Sequence, residues 1–141
     1  MDTRIKQSLI SGILATIVMT VIMLIAPMMG MPEMNPASML AEVMAVPLIV
    51  GWIMHFIVGI IFAAFYVYIF HPKINIQSAV GKGALYGIII FIFAQVVMGA
   101  MGALVGGMPQ PQGSMALIIT GSIIGHVVFG LVVALLVKKI D

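Results

Sequence analysis

Four long apolar stretches divide the chain, at about 9–26, 48–70, 84–105 and 116–137, and none contains an Asp, Glu, Lys or Arg. Each is close to the ~20 residues an α-helix needs to cross ~30 Å of hydrocarbon at 1.5 Å per residue. They predict four transmembrane helices. Pro27, near the end of the first stretch, frees a carbonyl that neighbours must satisfy, and so kinks or ends that helix. Between the first two stretches the pattern changes. Asn35 suits an N-cap and Pro36 the first helical position, apolar residues follow at helical spacing, and Pro47 closes the segment. This predicts a short interfacial helix over about 36–46.

The expected fold is therefore all-α, a polytopic membrane protein forming one domain over residues 1–141. Four spans of ~20 residues leave no room for a separate soluble domain. The first stretch exceeds the usual apolar core of a signal peptide and has no A-x-A-like site after it, which reads as a retained helix.

The chain also repeats itself. Gly-Met-Pro at 30–32 recurs at 107–109, Ser38-Met39 as Ser114-Met115, and His55-x-x-x-Gly59 as His126-x-x-x-Gly130. Two tandem helical hairpins follow. Each half crosses the membrane twice, so the copies share one orientation and imply a pseudo-twofold axis along the membrane normal.

Composition sharpens this picture. The 141 residues are 63% hydrophobic and 7% charged, against about 25% charged in soluble domains, which excludes a water-soluble fold. All six basic residues, Arg4, Lys6, Lys73, Lys82, Lys138 and Lys139, fall on one side of the four spans, while the opposite loops carry only Glu33 and Glu42. The positive-inside rule places both termini in the cytoplasm, the protein lying in the inner (cytoplasmic) membrane. Tyr66, Tyr68 and Phe70 then form part of an inner aromatic belt, with His71 solvated beside them. The net charge of +2 is scattered over helix ends without a basic stripe, so no nucleic-acid partner is expected. The absence of Cys removes disulfides, thiolate metal sites and thiol nucleophiles.

Two constellations could carry chemistry. His55 and His126 lie within spans, each flanked one turn away by small residues: Gly51-x-x-x-His55-x-x-x-Gly59 and Ser122-x-x-x-His126-x-x-x-Gly130. Residues four apart share a helix face. Two neutral imidazoles on facing helices could ligate one b-type haem, the missing side chains of Gly51, Gly59, Ser122 and Gly130 leaving room for the macrocycle. The same pattern also serves close helix packing, with each His hydrogen-bonded across an interface.

Methionine is the second. Of 14 copies, all but the initiator lie in the outer loops or outer halves of the spans. Thioethers select Cu(I), so Met28, Met29, Met31 and Met34 are candidate ligands for an outward-facing copper site. Methionine is equally a flexible filler and a component of docking surfaces.

Thr16, Thr20, Gln95, Thr120 and Ser122 are among the other polar residues within spans. They include no acid, so neither an acidic proton relay nor a carboxylate-based hydrolase can be assembled, and no enzyme activity is expected. Gly83-x-x-x-Gly87, Gly99, Gly102 and Gly106 continue a small-residue surface along the third span.

With Gly-Trp-x-x-His at 51–55, the Gly-Met-Pro turn and Gly-His-x-x-x-Gly at 125–130, the whole chain resembles a family of small four-helix prokaryotic membrane proteins without known activity. The resemblance implies a four-helix fold and transfers no cofactor or catalytic residue. The leading expectation is a non-enzymatic accessory or structural subunit. Its partners would be the lipid bilayer and other membrane helices, in a homo-oligomer or a larger complex. The alternatives are a haem b electron carrier through His55 and His126, a Cu(I) site, and, more remotely, a small-molecule transporter.

Overall fold

A computed structural model describes residues 2–107 and 112–140, the side chains of 138–140 aside. Met108 and Pro109 of the second Gly-Met-Pro, and the side chains of Lys138 and Lys139, lie outside the described residues. Among those described, every regular element is helical.

Helix α1 (Thr3–Ile25) begins well before its apolar stretch, because the Asp2 side chain accepts the Arg4 N–H at 3.1 Å and fixes the start there. It passes into a 3₁₀ turn, Ala26–Met29, with Pro27 in its first turn, and ends at Gly30, whose φ of 84° suits glycine. Helix α2 (Pro36–Met44) is capped by Asn35, which accepts the N–H groups of Ala37 and Ser38, and closes on Ala45 at a left-handed φ of 51°.

Helix α3 (Leu48–Phe65) runs into one π-helical turn, Tyr66–Phe70, and then the short α4 (His71–Lys73). After a loop, α5 (Ala79–Val105) starts on the Ser78 cap, and α6 (Met115–Ile140) completes the chain. Four helical segments, Thr3–Met29, Leu48–Lys73, Ala79–Val105 and Met115–Val137, are long and apolar enough to span a membrane.

Helix α1 is the centre of the bundle, packing along both α3 and α6, while α5 lies on α6. Bare backbone brings these helices together. A Cβ on Gly12 would meet Ile60 Cα at 2.7 Å, with Ala63 and the Gly59 carbonyl at 3.1 Å. A Cβ on Gly83 would meet Gly130 O at 2.7 Å, Leu131 Cα at 2.8 Å and Ala134 at 2.9 Å. The contact set recurs residue for residue at a constant offset along the chain: Gly59, Ile60 and Ala63 in one hairpin, Gly130, Leu131 and Ala134 in the other.

The correspondence stops between the hairpins. Helix α1 packs closely on α6, whereas the backbones of α3 and α5 stand apart and meet through aromatic side chains. The Tyr86 ring lies 5.0 Å from Tyr66 and 4.8 Å from Phe70, and Phe62 sits 5.8 Å from Phe93. Where the π-turn loosens the helical ladder, the Tyr86 hydroxyl donates to the Phe62 carbonyl at 2.5 Å. Tyr66 is consequently fully buried in this seam rather than part of an interfacial belt, and His71 is half-buried, its ring 5.6 Å from Tyr66.

The short helix expected over about 36–46 is α2, Pro36–Met44; Ala37, Ala41 and Val43 are buried, and it lies against α3. Gly51 admits it, since a Cβ there would run into the Ala37 carbonyl.

Candidate functional site

In a span, a side-chain hydroxyl must find a partner within protein. On α1, Ser8, Ser11 and Thr16 find one on their own helix, donating to the carbonyls of Arg4, Gln7 and Gly12 at 2.8, 2.6 and 2.7 Å. Thr20 is the exception. Its hydroxyl shares a hydrogen bond of 3.1 Å with Nε2 of His55, which is buried on α3 and has Trp52 edge-on at 6.3 Å.

His126 on α6 is satisfied differently. Its Nδ1 lies 2.7 Å from the Ser122 carbonyl. A carbonyl only accepts, so Nδ1 carries the proton and donates, and Phe91 stands edge-on to the ring at 5.9 Å. Thr20 and Phe91 occupy corresponding places in the two hairpins, so one histidine has a polar neighbour and the other an aromatic one.

The haem reading needs open space beside these rings, and that space is filled. A Cβ on Gly59 would strike the Thr16 hydroxyl, one on Gly51 the α2 backbone, and one on Gly130 the Gly83 carbonyl and the Gly87 backbone. The Nε2 of His55 is engaged by Thr20. The residues present do not fit a bis-histidine haem; the glycines serve close helix packing. Replacing His55 by leucine should cost about 1 kcal/mol, the scale of an interhelical bond in lipid, with no Soret band in either protein. Reversible unfolding in mixed micelles and an optical spectrum check this.

The four candidate copper ligands do not converge as a set either; only Met31 and Met34 meet. Met28 and Met29 are 86% and 82% exposed, while Met34 is buried. Met34 and Met31 extend their methyls over Gly121, and Met23 and Met19 pack over Gly125. These methionines fill the groove that two glycines leave on α6. Among the described residues no three His, Asp or Glu gather as metal ligands.

Two residues gain a significance that sequence reasoning missed. Lys82, read there only as a topology marker, is buried. Gln95, midway along the apolar part of α5, is exposed and has no hydrogen-bond partner among the described residues. Its polarity within an uncharged stretch was the available signal.

Four apolar spans around a small, fully packed helical centre define a multi-pass α-helical membrane protein. More particularly, residues 3–141 match a family of unknown function (DUF6789), and the chain belongs to that family. No curated protein and no solved structure matches it.

Proposed function

We propose that the protein is a non-enzymatic membrane subunit that works through helix–helix association, in the first place with a second copy of itself through α5. Gln95 carries this reading. An exposed amide at mid-span has neither water nor a protein group to bond, and such residues draw transmembrane helices together. The amide both donates and accepts, so its own copy across a twofold axis completes it. One turn on, Gly99 has nothing within 4 Å of the place its Cβ would occupy, leaving room for a neighbouring backbone.

The asymmetric distribution of basic residues supports an orientation with both termini in the cytoplasm and an inner-membrane location. The accessory or structural role rests on helix–helix association through Gln95 and Gly99. Gln95→Leu should weaken self-association about fivefold, the equivalent of ~1 kcal/mol, as measured by energy transfer between labelled copies in vesicles. Ile61→Leu, on the exposed face of α3, should leave it unchanged. Absence of association in the wild type, or equal association in Gln95→Leu and Gly99→Leu, would overturn the reading.

A further inference from the structure

At the end of the bundle that carries the N-terminus and α4, a cavity of about 300 Å³ lies between the π-turn, the loop before α5, and α6. Its lining includes Tyr66, His71, Asn75, Gln77, Ala79 and Lys82. Lysine at a membrane boundary ordinarily extends its ammonium into water. Lys82 instead is only 8% exposed and lines the cavity. Its ammonium makes one long bond, 3.4 Å to the His71 carbonyl, although it has three donors. No carboxylate among the described residues pairs with it.

A buried cation without a counter-charge is costly, and the surroundings add to the positive field. Ala79, which lines the cavity, opens the first turn of α5, where backbone N–H groups and the helix dipole favour an anion. Ser78 satisfies the Gly81 N–H, and the amides of Asn75 and Gln77 supply further donors.

We propose that this cavity binds a phosphate-type oxyanion, with Lys82 as its counter-ion. Two sources share that chemistry: the headgroup of an anionic phospholipid, for which the depth of a site at the end of a span is suited, and free phosphate or a phosphorylated solute. The proposal does not depend on α5 self-association.

The test uses the full chain, delipidated in neutral detergent, titrated with phosphatidylglycerol, with phosphatidylcholine and with inorganic phosphate. Binding is read by native mass spectrometry and by thermal stabilisation. Saturable binding of one phosphatidylglycerol per chain, preferred over phosphatidylcholine and weakened roughly tenfold or more in Lys82→Gln, would identify a lipid headgroup site. Saturable, Lys82-dependent binding of inorganic phosphate without that lipid preference would identify a soluble anion. In either case Lys82→Arg should retain binding, and Lys73→Gln, which removes an exposed charge nearby, should change it less than about twofold. Should Lys82→Gln fail to fold, Asn75→Leu with Gln77→Leu replaces it, and the same ligand should weaken. Equal affinity in the wild type and these variants, or no saturable binding of either probe, would overturn the proposal.

Discussion

Gly59→Leu and Gly130→Leu should each destabilise the bundle by about 3 kcal/mol, the upper part of the usual range for overpacking. At Gly130 the clash is with backbone, which no rotamer change relieves, and at Gly59 with a hydroxyl held by its own hydrogen bond. Beyond Gly59 lies the buried Thr16 side chain, whose hydroxyl is committed to Gly12, and beyond Gly130 lies the α5 backbone at Gly83 and Gly87. A whole helix has to move outward, and each glycine sits in the same contact set of its own hairpin, so the two losses should be similar. Gly99→Ala is the contrasting case. With no neighbour there, the fold should tolerate the methyl group and gain up to about 1 kcal/mol of helix stability. Reversible unfolding in mixed micelles compares all three, and a Gly59→Leu protein as stable as the wild type would contradict the packing described.

The second large effect is expected at Tyr86. Its ring joins Tyr66 and Phe70, and its hydroxyl reaches the Phe62 carbonyl, across the seam between α3 and α5. Tyr86→Ala should cost about 3 kcal/mol, as for other large aromatic truncations, and should let α3 and α5 separate. Tyr86→Phe keeps the ring and should cost about 1 kcal/mol for the hydrogen bond. The chain has no cysteine of its own, so spin labels at Ile61→Cys and Ile89→Cys, both on exposed faces, can report the separation directly. A distance distribution unchanged in Tyr86→Ala would show that the seam is held by something else.

The spans were legible because a bilayer imposes a length and an apolarity that few other environments demand. Helix α2 was legible from Asn35 and Pro36, since its cap is a local interaction between neighbours in sequence. The role of the glycines was not. Small residues around His55 admit either a flat ligand or another helix, and the choice is made by Thr16 on α1 and Ala37 on α2, far away along the chain. The partnership of Thr20 with His55 likewise depends on how α1 is rotated against α3, which the Gly12 and Gly59 contact sets. Lys82 looked like any basic residue at a helix end; its burial arises only once the π-turn and the loop at 74–78 fold around it. Tyr66 was misplaced because it continues the buried face of α3 after Gly59 and Ala63, and is covered by Tyr86 from far along the chain.

The seam between α1 and α6 ties the first helix of the chain to the last. During synthesis α1 can dock on α3 early, but its other flank, with Met19 and Met23 awaiting the groove at Gly125, stays open until nearly the whole polypeptide has been made. The seam forms when the second hairpin, α5 packed on α6, docks on the first. The bundle is sealed in its final step, and a chain lacking α6 leaves the flank of α1 that carries Met19 and Met23 uncovered.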